Sequence, residues 1–409
     1  MYVYFLEREH DLLRAGGTVG IIVSNKFLRA KYGEKIRHII STSARVDRII
    51  DLAGLPVFRG ATVRTIVLVT TKEGNSGPVI YAPPMSLEEF KGVESGGKTL
   101  DEASESVAQE MSGKRLAAGD WSLNRSDHDA LVAKLLASGK SLFDVVGGKI
   151  CRGIVSGLTE AFVITSEQRK RIVARNAAAK AIIQPFLQGR NIRRFSVTSQ
   201  NAFLIYTHHG VDMRRYPAVL DHLKPFKKRL ERRATTQEWY ELQQPQFAYK
   251  KLLEGPKIVF PDIATTCRFA RDDSGLFGAN TVYFIPSDDA RLLAILNSRV
   301  AFFFFIRTCA ALEGTGAAYL RFFGQYLEKF PIPPEDRLPK RRREKLVELV
   351  DLIEDLHKRL EKSRTPHDKT QLQRQIEATD RQIDQLVYEL YELTDEEIRI
   401  VEEATQARG

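Results

Sequence analysis

The run Val19–Val23 (VGIIV) constrains this chain more than any other stretch. An unbroken apolar run of this length suits a strand buried on both faces, and such a strand needs neighbours. Only one helical stretch, Tyr2 to Arg14, precedes it, with Phe5, Leu6, Leu12 and Leu13 at helical spacing. Gly16-Gly17 then ends that helix, as glycine does past a helix C-terminus. Phe27–Ser41 predicts a second helix, and Val46–Leu52 (VDRIIDL) and Val63–Thr70 (VRTIVLVT) predict two more strands. Over residues 1–82 this is the cadence of a parallel α/β sheet with a terminal hairpin. Roughly three strands fall short of the 4–6 usual in a sheet. The opening is therefore expected to be the second half of a doubly wound fold whose first half is not in this sequence. The glycine pair does not suit a phosphate cradle, because there the glycines follow a strand and open a helix.

Further along, residues 83–120 are poor in large apolar groups and rich in Gly, Ser, Glu and Lys, as a connector would be. Residues 121–334 read as an α+β region that holds most of the basic runs. In residues 335–409, Leu346, Leu349, Ile353, Leu356 and Leu360 step by three and four. So do Leu372, Ile376, Thr379, Ile383, Leu386, Leu390 and Leu393. These two seams, split by "SRTPHDK", predict an antiparallel helical hairpin.

The formal net charge of +10 and the basic run-rich middle favour an anionic partner, nucleic acid first. Cys151, Cys267 and Cys309 are scattered, which fits a reducing, cytoplasmic setting and neither a zinc pattern nor a disulfide frame. No signal peptide is expected. The most apolar run, Val300–Ile306 (VAFFFFI), is far shorter than the roughly 20 residues of a membrane span and reads as core, on a helix starting near Asp289. His208-His209 lacks a carboxylate or cysteine at ligand spacing, so no metal site is expected.

Several segments resemble one family. "YVYFLEREHDLLRAGGTVGIIVSNKFLRAKYGEKIR" resembles the later half of the catalytic domain of adenine-specific DNA methyltransferases of the type II and type IIG restriction-modification class. "RGIVSGLTEAFVI", "IIQPFLQGRNIRRF", "PKIVFPDIATTCRFARDDSGLFGANTVYFI" and "AAYLRFFGQYLEKFPIP" resemble their TaqI-like C-terminal specificity domain, and "TDRQIDQLVYELYELTDEEIRIVEE" resembles their tail. The resemblance implies a fold of α/β plus α+β type: a partial Rossmann-like methyltransferase sheet, a target-recognition domain and the helical hairpin. It also implies S-adenosylmethionine as cofactor of the complete enzyme and double-stranded DNA as partner. The family's glycine-rich donor loop and Asn-Pro-Pro-Tyr (or Phe) motif are absent from this sequence, as is a nuclease module: Pro83-Pro84 and Pro333-Pro334 lack the flanking Asn and aromatic. No catalytic, cofactor-binding or metal residue is therefore assigned, and the missing catalytic half is expected either on a longer form of this polypeptide or on a partner chain.

Within that frame, Phe58 in "LPVFRGATVRTIVLV" matches the family segment that stacks on a flipped base. Spacing alone reads it as a core residue beside Val57. Arg190, Arg193 and Arg194 in "GRNIRRF" are expected phosphate contacts, and Gly189 a turn glycine. Lys227 and Lys228 are further candidates, for which a solvated helix face competes, as it does for Arg232 and Arg233. Arg268, Arg271 and Asn280, on "TCRFARDDSGLFGANTVYF", are candidate base readers, since arginine suits guanine and asparagine adenine. The expected function is a DNA target-recognition module of an adenine methyltransferase. The alternatives are a non-enzymatic specificity subunit and one half of a split methyltransferase.

Overall fold

The computed structural model describes residues 2–406 except 29, 54, 59–63, 75–76, 114–115, 117–120, 122–125, 199–200, 310 and 313–318. Helices and sheets are mixed throughout. The chain divides into a compact unit over Met1–Ala130 and another over Leu131–Leu312 with Tyr319–Gly409.

The first unit is built on β1 (Thr18–Ser24), β2 (Arg45–Asp51), β3 (Thr65–Thr71), β4 (Pro78–Ala82) and β5 (Gln109–Ser112), in the spatial order β1-β3-β2-β4-β5. The sheet is mixed rather than the expected parallel one with a single terminal hairpin, although β2 and β3 do pair antiparallel as a hairpin would. β3 lies between β1 and β2 and runs antiparallel to both; β2 and β4 pair in parallel, and β4 and β5 antiparallel. Apolar runs fix which residues are buried but not where a strand re-enters the sheet, so the place of β3 between β1 and β2 was not readable from its pattern. The expected connector is also corrected. Residues 83–120 hold α3 (Leu87–Glu94), α4 (Leu100–Glu105) and β5. Here α1 is Tyr2–Leu12 and α2 is Glu34–Ser43. Ser86 caps α3, and Thr99 with Glu102 forms a reciprocal capping box on α4, so polar residues that suggested a linker serve as helix starts. Phe90 and Ala103 of these helices bury against Ile50 and Leu52, while Leu6, Ile36, Ile40 and Phe27 cluster with Ile49, Ile66 and Leu68. The sheet is thus covered on two faces. β1 lies at its edge, with Ile22 47% exposed.

The second unit carries two four-stranded sheets. One orders β12 (Phe277–Gly278), β8 (Ile183–Leu187), β9 (Ala202–Ile205) and β7 (Val163–Thr165), with β12 and β8 parallel and the rest antiparallel. The other orders β11 (Ala270–Asp272), β10 (Lys257–Pro261), β13 (Val282–Ile285) and β6 (Cys151–Arg152), all antiparallel. β7 runs directly into α5 (Ser166–Arg175), which Thr165 opens with a capping box. Beside the sheets, Val300–Phe305 is buried as expected, at about 1.5–3 kcal/mol for each large side chain. It lies on a separate helix, because Ser298 ends α6 (Ala290–Asn297) and caps α7 (Arg299–Thr308) through its hydroxyl. The two seams form α8 (Lys340–Lys362) and α9 (Pro366–Leu390), which pack along each other and on α6; α10 (Asp395–Ala404) follows. Leu346, Leu349, Ile353 and Leu356 are buried, as are Leu372, Ile376 and Ile383. Thr379, the polar residue in that seam, is buried with its hydroxyl donated to the Gln375 carbonyl. The helices pack on their own unit.

Candidate nucleic-acid interface

Three segments meet at the turn 278–282. The Gly153 N–H donates to the Val282 carbonyl (2.8 Å) and the Ile154 N–H to the Gly278 carbonyl (2.8 Å). From the end of β8, the Leu187 carbonyl accepts from Ala279 (2.8 Å), and the Thr281 carbonyl accepts from Asp262 (3.0 Å). Close approach requires glycine twice. A Cβ on Gly153 would lie 2.2 Å from the Ala279 carbonyl oxygen, and one on Gly189 would lie 2.6 Å from that of Thr281. Gly189 therefore serves packing more than turn geometry. Asn280 projects from this pinned turn, exposed, and its carbonyl accepts from Arg152 Nε at 3.1 Å.

Around the turn opens a cleft of about 490 Å³, with Arg190, Arg268 and Asn280 among its lining residues, joined by Gln188, Asp262 and Tyr319. Three of the sequence-predicted residues are thus brought together. Among the described residues neither Arg190 nor Arg268 forms an ion pair. Burial, and next the charge of Arg193, push the Arg268 pKa below its ordinary value. Such a cation gains most from an arriving anion. Burial raises the Asp262 carboxyl, against the pull of Arg152 and the backbone N–H groups of Asp262 and Ile263.

Arg193 lies on a neighbouring groove of about 820 Å³, walled by β8, β11 and α8. Its guanidinium donates to the Arg190 carbonyl at 2.6 Å. Arg193 and Ser196 pair across a two-residue turn made by Arg194 and Phe195. Such turns favour positive φ, and Phe195 adopts φ 56°, held there by its buried ring and its N–H bond to the Phe269 carbonyl (2.9 Å).

Arg194 and Arg271 are placed differently. Arg194 makes a two-pronged pair with Asp380 of α9 (2.7 and 2.6 Å) and donates to the Asn297 carbonyl (2.8 Å). Arg271 bridges Asp351 (2.8 Å) and Glu354 (2.5 Å) of α8. Burial works against the Arg271 cation, but the hydrogen bonds to Glu354 and Asp351 outweigh it and raise its pKa. Both guanidinium groups are committed to carboxylates of their own chain and hold the long helices on the sheets. Lys227 packs over the Trp239 ring at 5.5 Å and lies 3.6 Å from Glu231, while Lys228 is exposed; neither lines the cleft. Arg233 caps five nearby carbonyls through Nε and its terminal nitrogens, among them Leu230 (2.9 Å) and Glu241 (2.8 Å). In the first unit the Phe58 ring is 48% exposed, beside a partly buried Val57.

Sequence reasoning missed Gln188, Asp262 and Tyr319. All three lie within quoted family segments, yet only the pairing of Ile263–Ala264 with Tyr319–Arg321 brings the last two to one place. Among the described residues no group of three or more His, Cys, Asp or Glu could hold a metal, and no helix is long and apolar enough to cross a membrane.

Comparison with known proteins places these features in a family context. Residues 184–332 match the TaqI-like C-terminal specificity domain, and residues 1–58 match the Eco57I restriction-modification methylase family. Type II methyltransferase M.XhoI of Xanthomonas vasicola is 26% identical over 83% of this chain and 63% of its own length. M.PaeR7I of Pseudomonas aeruginosa is 23% identical over 85% of this chain and 61% of its own. Among solved structures, the type IIL restriction-modification enzyme MmeI in complex with DNA shares the fold at a TM-score of 0.59, with 12% identity, over 99% of this chain and 52% of that one. The chain thus spans less than two thirds of these relatives. Both family matches fall on the segments that carried the resemblance to restriction-modification methyltransferases, and they bear it out.

Proposed function

We propose that this chain is the DNA target-recognition part of an adenine-N6 DNA methyltransferase. The observation that carries the reading is the cleft: two arginines without ion pairs among the described residues and an amide on a pinned turn, within the segment that matches a specificity domain. Arg190, Arg193, Lys227 and Lys228 contact phosphates, which fix register, while Arg268 and Asn280 face base edges. Arg194 and Arg271 are reassigned to holding the α8–α9 hairpin, which braces the recognition sheets. Phe58 remains the stacking face for a flipped adenine; its exposure supports this over the core alternative.

S-adenosylmethionine supplies the methyl group in this class of enzyme. The residues present do not fit a cradle for it. Gly16 and Gly17 lie between α1 and β1, and the Gly16 N–H is spent on the Lys72 carbonyl (3.0 Å). No catalytic step is assigned to this chain. The donor loop and the Asn-Pro-Pro-Tyr motif are supplied from outside residues 1–409, on the same polypeptide or on a partner chain. The edge position of β1, with Tyr4, Phe5, Leu12 and Ile22 exposed nearby in sequence, favours that reading over a free-standing specificity subunit. The setting is cytoplasmic, where the cysteines stay reduced.

Binding of a labelled duplex, followed by anisotropy across salt concentrations, tests the reading. Each neutralised phosphate steepens the log–log slope by about 0.9, so affinity must fall sharply with salt. A flat response would count against DNA recognition. Calorimetry with S-adenosylmethionine tests the second part: tight binding by this chain alone would overturn it.

A further inference from the structure

We propose that Asp262 is a specificity-determining residue whose carboxylate accepts a hydrogen bond from the exocyclic amino group of an adenine or cytosine in the major groove. The inference rests on the DNA-recognition reading and deepens it. A cleft that only gripped phosphate would be worse for a carboxylate, since like charges repel. Yet Asp262 lines the same cleft as Arg190 and Arg268, and among the described residues it forms no ion pair with either.

Its placement is fixed rather than adaptable. The Asp262 N–H donates to the Thr281 carbonyl (3.0 Å), and its own carbonyl accepts from Phe322 (2.9 Å). The next residue, Ile263, pairs with Arg321 in a short antiparallel ladder. The backbone is therefore held from both sides, while the side chain is only partly buried and opens on the cleft. The groups gathered there are also chemically varied. A carboxylate only accepts, a guanidinium only donates, and the amides of Gln188 and Asn280 do both. Phosphate would require donors alone. Base edges in the major groove present acceptors on guanine and amino donors on cytosine and adenine, which is the complement of this set.

The test uses the full chain and Asp262→Ala, which removes the acceptor, each selecting from a randomised duplex pool at one salt concentration, with thermal melting as a check on folding. Wild type should enrich a motif with adenine or cytosine at one position of one strand; which base appears identifies the source of the amino group. D262A should lose about tenfold or more of the preference there and keep the other positions. Its binding to unrelated duplex should hold or tighten, because a negative charge has gone. If D262A melts early, Asp262→Leu, close in size and without an acceptor, carries the same comparison. An unchanged motif at every position overturns the proposal and leaves DNA recognition standing. Failure of wild type to bind DNA, or to enrich any sequence, overturns both.

Discussion

Two groups of arginines occupy the second unit. Arg190, Arg193 and Arg268 keep their charge without an ion pair among the described residues, beside a cleft and a groove. Arg194 and Arg271 spend theirs on Asp380, Asp351 and Glu354 of the long helices. Arg193 and Arg194 are adjacent in sequence, so local composition does not separate the groups. What separates them is a carboxylate 186 residues away for Arg194 and ones 80 and 83 residues away for Arg271. A basic run locates cations; the fold decides which are left for a partner.

The comparison can be broken first at its most committed cation. Lys257 pairs with Asp272 at 2.6 Å across β10 and β11, each side chain 1% exposed. Lys257→Met leaves that carboxylate buried without its counter-charge, and should cost about 3–5 kcal/mol in urea unfolding. Arg194→Ala should cost less, about 1.5–3 kcal/mol, by removing charged hydrogen bonds to Asp380 and to the Asn297 carbonyl. Its DNA salt slope should match wild type at equal folded fraction; a shallower slope would return Arg194 to the phosphate group.

Acid sharpens the same division. Burial alone would raise the Asp272 carboxyl, but Lys257 and the Ser274 hydroxyl and N–H bring it below its ordinary value. A depressed carboxyl contributes stability in full above its unfolded value, near pH 4, and loses it as pH falls through the folded value. Melting temperature should therefore drop below about pH 4, and Asp272→Asn should be less stable at pH 7 with a flatter acid limb. Smallest of all is the stability change at the cleft: Arg190→Ala and Arg268→Ala should each stay within about 0.5 kcal/mol of wild type in the same urea assay.

Much of the fold was legible where periodicity was strong. The strands at Thr18–Ser24, Arg45–Asp51 and Thr65–Thr71 announced themselves by apolar runs, and α8 and α9 by their seams. β4 and β5 did not, because Pro78–Ala82 is short and Gln109–Ser112 is polar with one buried residue, Met111. Of the candidate site, Arg190, Arg268 and Asn280 were readable as residue types and do share a cleft. Asp262 was not, since a lone carboxylate in a basic segment gains meaning only from the turn and ladder that hold it.

The account stands most directly on the cleft arginines. The measurement is the salt dependence of duplex binding for wild type and for the double variant Arg190→Ala, Arg268→Ala, each checked for folding by melting. The expected result is a log–log slope shallower by about 1 in the double variant, from the lost Arg190 phosphate contact, with unaltered melting. Identical slopes for the two proteins would contradict the assignment of this cleft to DNA.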